Sequence, residues 1–268
     1  MIKDITIGQY IPGDSFIHKL DPRTKLLISL LFIINLFIIN KFFGYVFVIV
    51  FLALTVYVSK LPLKYLYKGV RGVLALIIIT SVLNLFMIKG SEETIIFKLG
   101  FLSVYEEGLR TAAFMAFRLI LLIMGTSVLT LTTSPIELTD GIESLLSPFK
   151  KIGVPAHELA MMMSIALRFI PTLMDETDKI MKAQKARGAD FESGGIIQKA
   201  KSLIPLLVPL FISSFRRSDE LAMAMEARCY RGGEGRTRMK KLMYTYRDAI
   251  AFVVFGLLVV ISIIIRVL

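Results

Sequence analysis

The sequence predicts an all-α polytopic membrane protein with about five transmembrane helices and two further long helices in a cytoplasmic region. Three observations predict it. Of 268 residues, 55% are hydrophobic, and the mean hydropathy is +0.70. Several apolar runs approach the ~20 residues that cross the hydrocarbon core of a bilayer. The Lys and Arg residues fall mainly between those runs, so the net charge of +11 reads as a topology signal and not as a nucleic-acid footprint. A soluble chain of this length would need an unusually large core. The N-terminal residues Lys3, Asp4 and Asp14 do not form the basic flank and short apolar stretch of a signal peptide. The single Cys229 excludes an intramolecular disulfide and a cysteine-based zinc site. Trp is absent, which leaves Tyr and Phe for an interfacial belt.

The first apolar block runs from Leu26 to Val58, broken by Asn40, Lys41 and Gly44. It is too long for one span. Lys19, Arg23 and Lys25 precede it, and Lys60, Lys64, Lys68 and Arg71 follow it. With both basic flanks in the cytoplasm, the block is a hairpin of two short spans. A third span is expected from Val73 to Ile88. The loop after it, with Lys89, Glu92, Glu93, Lys98, Glu106 and Glu107, is net acidic and fits the outside; Thr94 to Phe97 and Gly100 indicate a short strand or turn. A fourth span from Thr111 to Leu131 returns inward, and a last span from Ala249 to Ile265 leads out. The expected organisation is a membrane region over 1–131, a cytoplasmic region over 132–247 and a C-terminal transmembrane helix over 248–268, with the N-terminus in the cytoplasm.

Region 132–247 holds 18 Lys or Arg against 13 Asp or Glu, together with strong apolar runs. Pro135 opens a modest helix, and Pro148, Gly153 and Pro155 punctuate the chain. A long helical pattern runs from Ala156 to Arg187 and stops at Gly188, a residue suited to a helix C-terminus. Its 32 residues would reach ~48 Å, with a kink at Pro171. Gly194 and Gly195 mark a turn. A second pattern runs from Lys199 to Arg228, with kinks expected at Pro205 and Pro209.

These two patterns repeat each other at an offset of 41 residues. Thr177-Asp178-Lys179-Ile180 matches Ser218-Asp219-Glu220-Leu221, Ala183 matches Ala224, and Ala186-Arg187 matches Ala227-Arg228. Ile180, Ala183 and Arg187 share one helical face, as do Leu221, Ala224 and Arg228. Small Ala residues let a second surface approach, and each Arg projects a cationic fork suited to a carboxylate. Two such tips could engage two similar pockets on a pseudo-symmetric dimer. Alternatively, each Arg only complements the negative end of its helix, worth ~0.3–1 kcal/mol.

The opening stretch Gly8-Gln9-Tyr10, Ser15, His18, Leu20-Asp21-Pro22-Arg23 and Lys25-Leu26, with Ala186-Arg187-Gly188 and Ala227-Arg228-Cys229, resembles the transmembrane T component of energy-coupling factor (ECF) transporters over essentially the whole chain. The resemblance implies a non-enzymatic energy-coupling subunit of an ABC-type importer in a prokaryotic cytoplasmic membrane. It implies two ABC-type ATPase partners held by Arg187 and Arg228 at the ends of two coupling helices. A membrane S component would capture a vitamin or metal ion and reorient as the ATPases close. No cofactor is implied in this chain. Cys229 departs from the pattern where the first ending has Gly188.

Other residues are consistent with this reading. No Gly-x-x-x-x-Gly-Lys-Ser/Thr loop is present to cradle ATP phosphates. Met161, Met162 and Met163, flexible and polarizable, are expected at an S-component surface, with ordinary core filling as the alternative. Arg118, inside the fourth span, is a functional candidate, or a structural pairing. Asn35 and Asn84 are placed to hydrogen-bond between spans. Asp21 is placed to cap the first helix, with Pro22 at its first position. His18 and His157 are too few for a metal site without acidic partners. Gly232-Gly233-Glu234-Gly235 reads as a flexible loop. The rival reading is an intramembrane Mg-dependent transferase using Asp175 and Asp178, which needs a second acidic cluster on a facing helix; a stand-alone secondary transporter lacks a chain of ionisable groups along its spans.

Overall fold

The computed structural model describes residues 10–88, 95–99, 102–191, 195–233 and 241–267. Gly8, Gln9, Lys89, Glu92, Glu93, Thr94, Gly100, Glu192, Gly194, Glu234 and Gly235 lie outside the described residues. The helices are α1 (Pro22–Ile38), α2 (Phe42–Ser59), α3 (Leu63–Met87), α4 (Glu106–Thr132), α5 (Pro135–Leu146), α6 (Ala156–Ala186), α7 (Ile196–Ser202), α8 (Ile204–Ala227) and α9 (Tyr246–Val267). An antiparallel hairpin of β1 (Ile95–Leu99) and β2 (Leu102–Tyr105) precedes α4. The chain is an all-α polytopic membrane protein apart from this hairpin. Among the described residues, α2, α3, α4 and α9 are long and apolar enough to cross a bilayer. At 17 residues, α1 sits at the short end of what can span.

The chain divides into two compact units, one comprising Glu143–Lys241 and the other residues 10–142 with Leu242–Leu268. In the second unit, α1, α2, α4 and α9 meet around Phe32, Leu36, Val48, Leu52, Leu131 and Leu258. In a bilayer these contacts gain little from leaving lipid, so close packing and interhelical hydrogen bonds hold the helices together. Gly108 shows the close approach: a Cβ there would sit 2.9 Å from the Leu85 carbonyl oxygen of α3. Asn35 of α1 donates to Ser262 Oγ of α9 at 3.2 Å, the interhelical bond expected of it. Asn84 instead donates to Thr80 O one turn back in its own helix. Arg118 of α4 reaches Ile39 O at the end of α1 and lies 5.0 Å over the Phe37 ring, a structural pairing with carbonyls that a helix end leaves open.

The opening motif ties this unit together. Asp21 Oδ1 accepts from Arg23 N at 2.9 Å and caps α1, with Pro22 at its first position. Both Asp21 oxygens also receive the Arg23 guanidinium, which lies 4.0 Å over the Tyr244 ring. Burial pushes the Asp21 carboxyl up, and the Arg23 guanidinium and backbone N–H outweigh it and hold it below the usual carboxylate range. Its contribution to stability is therefore complete across neutral pH and is lost only as pH falls through that lowered value. Asp248, 1% exposed, accepts from Asp21 N and from Thr245 N, each at 2.8 Å. Lys25 donates to His18 O and Thr132 O, and His18 is bound to Ser15 Oγ and Ile11 O. Ser15, His18, Asp21, Arg23 and Lys25 thus join the ends of α1, α4 and α9.

The helix boundaries correct three expectations. The helix that carries the expected third span begins at Leu63, ten residues before it, and includes Lys64, Lys68 and Arg71 in its first turns. The fourth begins at Glu106, with Glu106 and Glu107 favourable at its N-terminal dipole end. The pattern from Lys199 to Arg228 is two helices, broken at Leu203. Pro205 lacks an N–H and sits in the first turn of α8, where no intrahelical donor is needed, so it opens α8 and does not kink a longer helix. Pro171 and Pro209 lie inside continuous helices.

Replacing Asp248 with Ala strands the buried Asp21 N–H, at ~1–3 kcal/mol, and also removes the acceptor of the solvent-accessible Thr245 N–H. The thermal midpoint of the detergent-solubilised protein should fall by several degrees. An unchanged midpoint would remove Asp248 as the tie between α1 and α9.

Candidate partner-docking site

In the unit containing Glu143–Lys241, α6 and α8 pack antiparallel. Near the C-terminal end of α6, Gln184 donates to Pro205 O at 3.4 Å. Further back, Glu176 receives Arg217 Nη2 at 2.9 Å and the Ser213 hydroxyl. Beyond that, Met161, Ile165 and Arg168 of α6 face Leu221, Met225 and Arg228 across one cavity. The register follows from these three contacts: as α6 advances, α8 recedes. The two Ala-Arg endings therefore lie at opposite ends of the pair. Arg228 lies beside Met161, and the rise of α6 from there to Arg187 places the tips about 30–40 Å apart.

Both endings are built alike. Arg187 and Arg228 are the residues where the helical backbone stops. After the first, Gly188 N–H bonds to Lys185 O and Ala189 N–H to Gln184 O, both at 3.0 Å. After the second, Cys229 N–H bonds to Glu226 O at 2.8 Å and Tyr230 N–H to Met225 O at 3.0 Å. This is one cap, the Schellman motif, used twice. It requires left-handed backbone just past the helix, which Gly188 adopts at φ 87° and Cys229 at φ 55°. The Cys229 departure thus preserves the cap geometry, at a steric cost of ~1–2 kcal/mol that Gly avoids. Ala186, Arg187, Gly188, Ala227, Arg228 and Cys229 are all exposed. Neither Arg tip makes an ion pair among the described residues.

The methionines divide. Met162 and Met163 are exposed, whereas Met161 lines the cavity beside Arg228. A larger apolar face lies on α8: Ile204, Leu207, Val208, Phe211, Ile212 and Phe215 are all exposed, and Phe211 stacks with Phe215. Their helical spacing puts them on one stripe, a signal present in the sequence. His157, at the start of α6, has an acidic partner the sequence did not reveal, Glu143 Oε1 at 2.9 Å from Nδ1. Among the described residues, no group of three or more His, Cys, Asp or Glu side chains could hold a metal ion. Asp175 and Asp178 belong to no such group among the described residues.

The fold and this duplicated pair define the class: an all-α polytopic membrane protein carrying a repeated cationic helix ending. The family described as CbiQ, cobalt transport protein, matches residues 13–239. A Clostridium kluyveri protein named energy-coupling factor transporter transmembrane protein EcfT is 68% identical over 267 residues, covering 100% of this chain and 98% of that relative. Proteins of the same name from Bacillus subtilis and Lactococcus lactis subsp. cremoris are 50% and 46% identical, over 92% and 94% of this chain and 93% and 94% of their own lengths. The chain belongs to this family, the transmembrane T components of energy-coupling factor transporters.

Because only the left-handed backbone disfavours Cys229, its replacement with Gly should raise stability by ~0.5–1 kcal/mol and leave assembly unchanged. Replacing Gly188 with Val should lower it. Paired thermal melts check both, and equal midpoints in all three proteins would refute the shared cap.

Proposed function

We propose that this chain is the non-catalytic energy-coupling subunit of an ATP-driven importer in a prokaryotic cytoplasmic membrane, with its N-terminus in the cytoplasm. Two ABC-type ATPase subunits dock at the Arg187 and Arg228 ends of the α6/α8 pair. A separate membrane S component holds the transported vitamin or metal ion, so the choice of ligand resides outside this chain. No cofactor is assigned to the chain. The observation that carries the proposal is the antiparallel pairing, which puts two identically capped cationic ends at the two extremities of one helical body. A pair of ATPases that close on ATP presents two related surfaces that move relative to each other. A body gripping one surface with each end converts that motion into rotation or separation of its helices. Rigid helices suit this task because their axial rise is fixed.

The exposed α8 stripe, with Met162 and Met163, supports an apolar partner surface. A contiguous apolar face of this kind marks an interaction site, and we assign it to the S component. ATP-driven movement at the helix ends would then reach the S component through α8 directly.

Reversing both charges, Arg187→Glu with Arg228→Glu, should abolish co-purification with the ATPases or uncouple ATP hydrolysis from uptake. Normal transport by the double variant would refute the anchors. Phe211→Asp with Phe215→Asp should release the S component from the mild-detergent complex while both ATPases stay bound. Full retention of the S component would move its docking surface elsewhere.

A further inference from the structure

Beside the knot of helix ends, the membrane unit holds a cavity of about 250 Å³ among α1, α2, α4 and α9. One end of it is polar and buried. Lys25, in the first turn of α1, lines the cavity and is 6% exposed. Its ammonium donates to His18 O at 3.1 Å and to Thr132 O at 3.0 Å. An ammonium carries three N–H donors, and the third has no acceptor among the described residues. Lys25 makes no ion pair there either. From Lys25 the wall follows α1 to Phe32, a rise of ~10 Å, and is almost wholly apolar. The mouth lies between α2 and α9. Leu54 and Val58 of α2 and Ile250 and Val254 of α9 line it, and all four are exposed. Deeper in, Phe51 of α2 meets Phe255 of α9 edge-on, with ring centroids 5.9 Å apart. The mouth is therefore on the Lys25 side of the level where these helices touch. Both helices are long and apolar enough to cross a membrane, so it opens onto acyl chains.

We infer that the cavity seats one acyl chain of a glycerophospholipid from the leaflet on the N-terminal side, entering between α2 and α9, with the lipid phosphate accepting the remaining Lys25 N–H. Water suits such a space poorly, because a buried water needs two to four polar partners. Left empty, the wall forfeits its dispersion contacts. A cavity of ~150 Å³ lined by Leu, Ile and Phe holds benzene, so this one takes a chain segment of about ten carbons. Charge and position select a phospholipid. A buried ammonium without an ion-pair partner is costly, and a phosphate oxygen offers it a charge-assisted hydrogen bond. Lys25 and Thr132 stand at the first turn of α1 and the last residue of α4, the level at which membrane helices meet headgroups. A lipid bound this way has its head at the helix ends and its tail toward the midplane, as its neighbours in the bilayer do. The chain closes the gap between α2 and α9 next to the Asp21–Asp248 tie, and so braces the unit.

The test begins with the unaltered full chain purified in mild detergent and read by native mass spectrometry. A single phospholipid should survive repeated detergent exchange, and stripping it should lower the thermal midpoint. Ala251→Leu, which grows a side chain into the cavity from α9, should release the lipid and leave a midpoint that no longer responds to it. Because Trp is absent, Phe32→Trp supplies a unique reporter at a site 4% exposed, out of reach of bulk lipid. In vesicles of phosphatidylglycerol brominated on its acyl chains, this reporter should be quenched, and adding Ala251→Leu should remove most of that quenching. Leu257→Trp, on an exposed position of α9, should be quenched with or without Ala251→Leu. No quenching of Phe32→Trp while Leu257→Trp is quenched would refute the site. Quenching of Phe32→Trp by aqueous acrylamide would make the cavity water-filled and overturn the proposal, as would retention of detergent alone or quenching that survives Ala251→Leu. If a diacylglycerol, which lacks the phosphate, is retained as well as the phospholipid, the Lys25 contact is refuted.

Discussion

The arrangement depends on the register of α6 against α8, and the contact that marks it is the pairing of Glu176 with Ser213 and Arg217. Glu176 and Arg217 are themselves repeat-equivalent, 41 residues apart. An ion pair between equivalent positions of two antiparallel helices must lie near the point where they cross. Each Arg tip then lies eleven residues beyond its own member of that pair, an arm of ~16 Å. The Glu176 and Arg217 side chains are partly exposed, 21% and 37%, so solvent screens the attraction and its contribution to stability is small. Its effect is on register: sliding one helix past the other by a turn would separate these groups and misplace Gln184 from Pro205 as well.

Two equal arms from one crossing explain why the endings are duplicated as whole caps. A lone Arg at a helix end would complement the helix dipole. Preserving Ala-Arg, the left-handed residue and both cap hydrogen bonds at each end fixes where each guanidinium starts and how the chain leaves it. The membrane unit has a different fastening. There a polar knot of Asp21, Arg23, Lys25, His18 and Asp248 joins helix ends in a region where packing alone gains little. The family's opening pattern is therefore structural cement, whereas the paired Arg motifs stand exposed at the helix ends.

What the sequence disclosed and what it hid divide along sequence separation. The cap by Asp21, the left-handed stop after Arg187, the hairpin around Asn40 and Lys41 and the two repeated endings are set by neighbours within a few residues, and all could be read directly. Pro205 was legible as a perturbation, but a proline is compatible both with a kink inside a helix, as at Pro209, and with the first turn of a new one, as here. Asn84 looked like an interhelical donor because nothing local distinguishes it from Asn35; only the presence of Ser262 opposite Asn35 does. The antiparallel crossing, the Glu143 partner of His157 and the gathering of Arg168 with Arg228 join residues up to some sixty positions apart. No periodicity encodes them. The apolar stripe on α8 was written in the spacing, but its exposure was not, since an apolar face reads the same whether it is buried or waiting for a partner.

The central claim is that one rigid antiparallel pair holds the two cationic ends apart. Spin labels at Ala186→Cys and Ala227→Cys, in a chain with Cys229→Gly, measure it by pulsed dipolar spectroscopy. The account predicts a single distance distribution centred about 30–40 Å. A distribution centred below about 20 Å would place the two tips side by side and contradict it.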